Sequence, residues 1–346
     1  MQQHRLRGLT VISFAIIAGG IVFIALGIIT LNLAAKVFQS GVQDHLDNQT
    51  SRSGSMFVKA WGSKGSDEGQ FLEPAGVAVD SSGNVYVSDF SNNRIQKFTS
   101  NGTFITKWGS PGSGEGQFNG PTGVAVDSSG NVFAVDMSNY RIQKFTSNGT
   151  FITKWGSSGS SDGQFNRPEK VAVDSSGHVY VSDIDNHNIQ KFTSNGTFIT
   201  KWGSPGSGES QFNGPTGVAV DSSGNVYVAD MSNYRIQKFT SDGKFITEWE
   251  NPDIRNGEFY GAVGVAVDSS GNVYVGDFVN NQIQKFSSNG TFITKWGSPG
   301  SGEGQFNRPE NVAVDSSGNV YVGDTGNNRI QVFKQVIESG NNMIPT

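Results

Sequence analysis

The sequence contains no cysteine among its 346 residues, and only 16% of it is charged. Disulfide bonds, thiolate metal sites and thiol nucleophiles are therefore excluded. The formal net charge is −5, with no long run of either sign. This argues against nucleic acid as a partner, because phosphate contacts depend on clustered lysine and arginine. Glycine, by contrast, occupies 46 positions. Without a collagen-like triplet, that abundance indicates many tight turns between short strands.

The N-terminal region holds the one long apolar run. Residues 9–35 carry no charge, and this length exceeds the roughly 20 residues that a helix needs to cross a bilayer. Basic residues precede the run, so the positive-inside rule places residues 1–8 in the cytoplasm and the domain beyond the run outside the cell membrane. A cleaved signal peptide is the alternative, although its apolar core is usually only about 7–15 residues long. Residues 36–55 are polar and are interpreted as a stalk.

The remainder of the chain repeats every 47 residues. The repeated tryptophans are Trp61, Trp108, Trp155, Trp202, Trp249 and Trp296. The aspartates of the repeated VAVDSSG segment are Asp80, Asp127, Asp174, Asp221, Asp268 and Asp315. The repeated phenylalanines are Phe71, Phe118, Phe165, Phe212, Phe259 and Phe306. So strict a period indicates one supersecondary unit present six times.

One unit, residues 76–110, reads GVAVDSSGNVYVSDFSNNRIQKFTSNGTFITKWGS. Four β-rich runs are separated by turn residues, with an Asx-type DSSGN joint and an Asn-Gly hairpin signal. Each unit is therefore predicted to be a four-stranded antiparallel meander. Its first strand is apolar on both sides, which is typical of a strand between two neighbouring sheets. Radially stacked sheets of this kind form a β-propeller, with the tryptophans and phenylalanines filling the gaps between blades.

The two ends of the repeat region complement each other. The sixth unit ends without the NGTFITKW segment, and MFVKAW at residues 56–61 supplies the missing piece. The fold prediction is therefore all-β: a six-bladed β-propeller of four-stranded antiparallel blades, over residues 56–334, closed by swapping the first strand into the last blade. A tail of residues 335–346 follows it, and one N-terminal transmembrane helix over residues 9–35 precedes it.

The segments SNNRIQKF (91–98), DNHNIQKF (185–192) and GNNRIQVF (326–333), each preceded by a version of GVAVDSSGNVYVSD, resemble the NHL repeat family. The resemblance covers residues 56–334 and implies a propeller fold. It does not specify a function, because such propellers serve as protein-binding, RNA-binding and sensor domains and occasionally as lyases or lactonases.

The histidines do not indicate a metal or catalytic site. His187 occupies a turn position that varies among the units, the others being Asn93, Tyr140, Tyr234, Asn281 and Asn328. His178 replaces an asparagine at the start of strand two, about 17 Å away along the strand. The DSSGN joint faintly resembles a calcium loop, but it lacks the distal glutamate and a hairpin explains it fully. We therefore predict no catalytic residue, no metal and no cofactor.

The loops divide between two faces of the predicted disc. The connectors between blades and the joints between strands two and three share one, named the connector face. The joints between strands one and two and between strands three and four share the other, named the hairpin face. The connector face carries most of the variation between units, and variable loops on a rigid scaffold are where binding usually occurs. Its candidate residues are Tyr140, Arg167, Glu169, Lys170, His187, Tyr234, Arg308 and Glu310.

A second ring of aspartates ends strand two, at Asp89, Asp136, Asp183, Asp230, Asp277 and Asp324. In four units an arginine follows five residues later, at Arg94, Arg141, Arg235 and Arg329, with Asn188 and Gln282 in the other two. Ion pairs that stabilise the turn are one interpretation, and a ring of charges around the channel mouth that binds a ligand is the other.

The hairpin face repeats Asn-x-Thr sequons, at Asn101, Asn148, Asn195 and Asn289, with Asn48 in the stalk. Outside the cell these asparagines are candidate glycosylation sites. The alternative is that Asn-Gly is simply the hairpin turn, and the SDGK segment of unit four keeps the turn while losing the sequon.

Two functions follow from this sequence. The first is a membrane-anchored, extracytoplasmic, non-catalytic binding, scaffold or sensor module for a protein, peptide or glycan. The alternative is a propeller lyase or lactonase with a metal in the channel. Near-identical units leave little room for a dedicated acid, base and nucleophile, so binding is favoured.

Overall fold

The structure is a computed structural model that describes residues 52–250, 261–339 and 342–345. In these ranges no helix is long and apolar enough to cross a membrane. The apolar run of residues 9–35, the candidate sequon Asn48 and the repeated Phe259 lie outside the described residues.

The described residues form six antiparallel sheets, the blades. The chain begins with β1 (Arg52–Trp61) and continues into blade 1 with β2 (Pro74–Val79), β3 (Val85–Asp89), β4 (Arg94–Phe98) and β5 (Phe104–Trp108). Blade 2 has β6 (Pro121–Val126), β7 (Val132–Asp136), β8 (Arg141–Phe145) and β9 (Phe151–Trp155). Blade 3 has β10 (Pro168–Val173), β11 (Val179–Asp183), β12 (Asn188–Phe192) and β13 (Phe198–Trp202).

Blade 4 has β14 (Pro215–Val220), β15 (Val226–Asp230), β16 (Arg235–Phe239) and β17 (Phe245–Glu250). Blade 5 has β18 (Ala262–Val267), β19 (Val273–Asp277), β20 (Gln282–Phe286) and β21 (Phe292–Trp296). Blade 6 has β22 (Pro309–Val314), β23 (Asn319–Asp324) and β24 (Arg329–Ser339), with β25 (Asn342–Pro345) paired to the end of β24. Single 3₁₀ turns follow strand two in four blades, at Phe90–Asn92, Met137–Asn139, Met231–Asn233 and Thr325–Asn327.

The blades close into a ring, which confirms the predicted six-bladed propeller. Inner strands of successive blades lie side by side from β2 to β22, and β22 then lies against β2. The sheet of blade 6 has the order β1-β24-β23-β22, so the first strand of the repeat region is its outer strand. The predicted strand swap is therefore present. β1 begins at Arg52, four residues before the predicted start, and the predicted tail contributes the end of β24 and all of β25.

Aromatic side chains fill the spaces between blades. Trp108 on the outer strand of blade 1 packs against Tyr86 of its own blade and Phe145 of blade 2, at ring-centroid distances of 6.4 and 5.9 Å. Its indole also covers Gly149 in the third joint of blade 2, where an added Cβ would come within 2.6 Å of the ring. Because Gly149 also has a φ of 86°, the turn needs glycine for two reasons. The repeated Asn-Gly therefore serves both the hairpin and the packing between blades.

The first joints are held as the Asx interpretation predicts. Asp80 Oδ1 accepts the backbone N–H groups of Ser82 and Asn84, and its Oδ2 accepts the side chain of Asn84 and the hydroxyl of Tyr86. Burial, followed by the nearby carboxylate of Asp80, raises the pKa of Tyr86 well above its ordinary value. Both carboxylate oxygens are thus occupied by protein donors, which makes this aspartate part of the hairpin.

Candidate binding site on the connector face

Each second joint is held by a buried aspartate. In blade 2, Asp136 accepts hydrogen bonds from the backbone N–H of Asn119, from Arg141 Nε at 2.7 Å and from Gln143 Nε2. Arg141 also donates to three carbonyl groups of the connector that precedes β6. The equivalent ion pairs are Asp89–Arg94, Asp230–Arg235 and Asp324–Arg329. The aspartate and arginine therefore fasten the connector to the blade.

All six aspartates of this ring are fully buried. Burial raises the pKa of Asp89, Asp183 and Asp277, and hydrogen bonds to the carboxylates act in the opposite direction with a smaller total effect. This geometry gives the ring a structural role behind the connectors. A direct role of these aspartates and their arginines in ligand binding stays a prediction.

Blade 3 departs from the others in several places. Asn188 replaces the arginine, and Asp183 instead accepts the backbone N–H groups of Asn166 and Arg167. His178 Nδ1 lies 2.9 Å from Asp174 Oδ2, where other blades place an asparagine amide. Burial alone would raise the pKa of Asp174, but hydrogen bonds from His178 and Tyr180 together outweigh it and the pKa is lowered. His178 therefore substitutes for asparagine in the joint.

The variable turn position that His187 occupies has a left-handed backbone in every blade. Its φ lies between 51° and 57° at Asn93, Tyr140, His187, Tyr234, Asn281 and Asn328. This region is routine for glycine and uncommon for all other residues, among which asparagine, aspartate and histidine are found there most often. Two tyrosines and a histidine in successive blades are therefore held in a costly conformation.

Asparagine at this position has an evident structural use. Asn93 Oδ1 accepts the backbone N–H of Gly120 in the next blade at 2.9 Å. Asn281 and Asn328 make the same bond to the next blade, at 2.9 and 3.0 Å. In blade 3, His187 Nδ1 is buried without a hydrogen-bond partner in the described residues. Blades 2 to 4 thus have an aromatic side chain at the position where the asparagine of blades 1, 5 and 6 accepts a hydrogen bond from the next blade.

A cup of about 370 Å³ opens at the centre of the connector face. Equivalent residues at the starts of the six inner strands line it, at Ala75, Thr122, Glu169, Thr216, Val263 and Glu310. A second set directly follows the buried aspartates, at Phe90, Met137, Ile184, Met231, Phe278 and Thr325. Because every blade contributes, the cup is the mouth of the central channel. Its walls are mainly apolar.

The predicted residues Lys170 and Arg308 lie at different depths of the central channel. Lys170, only 4% exposed, crosses the channel from blade 3, and its Nζ donates to the carbonyl of Ala75 in blade 1 at 2.7 Å. Asn311 of blade 6 donates to the same carbonyl at 3.4 Å. Four other blades have glycine at this position, so these two side chains form the floor of the cup. Arg308 lies at the rim and pairs with Glu310 at 2.6 Å.

The remaining predicted residues are divided between the cup and its surroundings. Arg167 and Glu169 line the cup together with Glu73, which the sequence did not single out. Tyr234 is 49% exposed on the connector face. The apolar ring that begins with Phe90 was also missed. The sequence does contain a pattern that indicates this ring: in five units an apolar residue directly follows the aspartate, within a turn that is otherwise polar.

The described sequons lie on the hairpin face as predicted. Asn101, Asn148, Asn195 and Asn289 are all exposed. Asn101 Oδ1 accepts a hydrogen bond from Lys59 Nζ at 2.7 Å. Glycosylation of these residues stays a prediction. In the part of the chain that the structure describes, no three histidine, aspartate or glutamate side chains form a group that could hold a metal ion.

Comparison with known proteins supports the repeat assignment. The family profile described as NHL repeat matches residues 71–98, 118–145, 165–192, 212–239, 259–286 and 306–333. Each matched segment runs from a repeated connector phenylalanine to a phenylalanine of strand three, which is the last residue of that strand in blades 1 to 5. No curated protein is similar enough in sequence to count as a relative.

Solved structures share the architecture at low identity. Virginiamycin B lyase from Staphylococcus aureus has a TM-score of 0.54 and 16% identity, covering 85% of this chain and 88% of the lyase. A gluconolactonase from Xanthomonas campestris has a TM-score of 0.58 and 14% identity, covering 78% and 88%. A Bacteroides thetaiotaomicron protein of unknown function has a TM-score of 0.63 and 18% identity, covering 82% and 76%. At these identities the likeness shows the fold alone.

Proposed function

Because the chain belongs to the NHL repeat family and folds as a six-bladed propeller, we propose that it is a binding module whose connector face receives a protein, peptide or glycan partner. The contact surface consists of the central cup and of Tyr140, His187 and Tyr234 around it. This role requires no cofactor.

The observation that carries the proposal is the location of the non-glycine residues with a left-handed backbone, a conformation that is energetically unfavourable for them. In the described ranges, all nine non-glycine residues with positive φ lie on the connector face. On the hairpin face, every left-handed turn position in those ranges is a glycine, as at Gly83 and Gly102. Strained residues are kept where the surrounding structure and function require their side chains. At this position Tyr140, His187 and Tyr234 carry aromatic side chains in place of the asparagine of blades 1, 5 and 6.

The proposal includes a location at the cell membrane. Residues 9–35 would anchor the chain, with the propeller outside the cell. Strand β1 runs from the hairpin face toward the connector that follows Trp61, so the chain enters the propeller at the hairpin face. The exposed sequons of the hairpin face would carry glycans in this arrangement.

Capture of partners by the full chain tests this proposal. The variant combines Tyr140→Asn, His187→Asn and Tyr234→Asn, which introduces the residue that blades 1, 5 and 6 already have at this position. We expect partner recovery, measured by quantitative mass spectrometry after capture, to fall at least about tenfold, because aromatic side chains often dominate interfaces.

A matched control changes the opposite face. Ser82→Lys, Ser129→Lys and Ser223→Lys alter three exposed first-joint positions and are expected to leave recovery within twofold. Equal recovery by the connector-face variant and the wild type would reject the proposal. Loss only in the serine variant would move the binding surface to the hairpin face.

A second candidate function is catalysis within the cup. The carboxylates of Glu169 and Glu310 line the same cup, and the buried ammonium of Lys170 lies 3.6 Å from Glu169. Carboxylates in a mainly apolar pocket are typical acid–base groups. This candidate predicts turnover of a lactone or cyclic ester panel that Glu169→Gln and Glu310→Gln each abolish. Turnover that both variants retain would exclude these carboxylates as the acid and base.

A further inference from the structure

The charged groups that line the cup are not all neutralised within the protein. Arg308 pairs with Glu310, and Glu169 lies beside Lys170. Arg167 is exposed, and its guanidinium makes no ion pair or hydrogen bond with any described residue. Glu73 accepts only the hydroxyl of Ser91, at 2.6 Å, and pairs with no cation in the described ranges. The cup therefore presents one cation and one anion without charged partners.

Glu73 is kept at a structural cost. Its φ is 59°, whereas the equivalent positions in blades 2 and 4 are Gly120 and Gly214. Glycine would adopt this conformation without strain. The hydrogen bond from Ser91 fixes the carboxylate at the mouth. A negative side chain at this position thus replaces the residue that the backbone prefers.

The two unpaired charges stand on different blades of the same cup. Glu73 belongs to blade 1 and Arg167 to blade 3, and Met137 of blade 2 lies in the wall with them. The opposite wall includes Met231 and Phe278. A volume of about 370 Å³ falls within the range of small-molecule sites. A matching ligand carries an anion, a cation and an apolar group.

We propose that the cup binds a zwitterionic amino acid or dipeptide with an apolar side chain. The ligand carboxylate pairs with the guanidinium of Arg167, a geometry that favours two parallel hydrogen bonds. The ligand ammonium pairs with Glu73, and its apolar side chain packs against Met137, Met231 and Phe278. The floor at Lys170 limits the depth available. This inference rests on the proposed binding function and names its ligand class.

Calorimetric titration of the full chain with leucyl-leucine and its two blocked forms tests the inference. The free dipeptide is expected to bind at least about tenfold more tightly than either the N-acetyl form or the C-terminal amide, because each block removes one charge pair. In Arg167→Gln the preference for the free form over the amide should disappear. In Glu73→Gln the preference over the N-acetyl form should disappear. Lys107→Gln, on an outer strand, should keep both preferences.

The outcomes separate this inference from the binding function. Equal binding of free and blocked dipeptides, or no binding of any form at millimolar concentration, would overturn the zwitterion site. If partner capture still depended on Tyr140, His187 and Tyr234, the binding function would stand without it. Charge-dependent dipeptide binding with capture unaffected by those residues would support the cup and reject the larger surface.

Discussion

Deleting residues 52–61 is expected to abolish the stable native state of the propeller. These residues are β1, the outer strand of blade 6. Phe57 packs edge-on against Phe333, and Trp61 packs against Phe98 of blade 1 and Tyr321 of blade 6. Losing one large buried aromatic costs about 3–5 kcal/mol, and the deletion removes two partly buried aromatics together with a strand pairing. A typical domain has only about 5–15 kcal/mol in total.

Denaturant unfolding followed by circular dichroism measures this effect. The single variant Trp61→Ala serves as the comparison and should remain folded with a loss of about 3 kcal/mol. Because the deletion also exposes β24 as an edge, the shortened chain should self-associate. A synthetic peptide of residues 52–61 added in trans should restore the native signal. An unfolding midpoint equal to that of the intact chain would contradict closure by β1.

The second large effect is expected at the buried aspartate of blade 2. Asp136→Asn should lower the free energy of unfolding by about 3–5 kcal/mol, because it leaves the buried guanidinium of Arg141 without its counter-charge. Asp136 is fully buried and Arg141 is 7% exposed, so water compensates little. The connector before β6 loses its attachment at the same time. Chemical denaturation of the purified variant gives the value.

Blade 3 provides the matched control for this prediction. Asp183 is equally buried, but residue 188 is asparagine, so Asp183→Asn leaves no buried cation unpaired. Burial already raises the pKa of Asp183, which means that its charge is costly there. The expected loss is therefore only about 1 kcal/mol. Equal losses in Asp136→Asn and Asp183→Asn would show that the ion pair is not what stabilises the second joint.

The sequence predicts the architecture well because the same turn and strand patterns occur in each of the six units. The 47-residue step defines the units, and the DSSGN and Asn-Gly turns define the strands within them. The strand swap follows from complementary ends. Domain limits were less accurate: β1 begins at Arg52 rather than residue 56. Backbone pairing with the long β24 extends β1 into residues whose polar composition predicts no strand.

The cup could not be predicted from the same signals. Which loop residues face the axis depends on how the blades are arranged in three dimensions, and local turn chemistry does not reveal it. Phe90 and Met137 appear in the sequence as isolated apolar residues in polar turns. Lys170 was identified as a variable residue, but its path across the channel to Ala75 is a contact between blades 1 and 3.

The left-handed backbone at Tyr140, His187 and Tyr234 could not be predicted from the sequence of those residues either. Tyrosine rarely adopts this conformation, and positive φ is uncommon for non-glycine residues in general, so the presence of these residues does not predict it. Only the asparagines at the equivalent positions indicate it, because asparagine tolerates positive φ. A comparison of repeats within one chain thus identifies positions where a residue that suits the backbone conformation, such as asparagine, is replaced by one for which that conformation is unfavourable.

The most direct test of the central claim is the free energy of unfolding of His187→Asn. The claim is that connector-face residues are retained at a cost to stability because they bind. Gly214 N–H donates to no acceptor in the described residues, and an asparagine at position 187 would place an amide oxygen where Asn93 accepts Gly120 N–H. The account predicts a rise of about 1 kcal/mol. An unchanged or lower free energy of unfolding would contradict it.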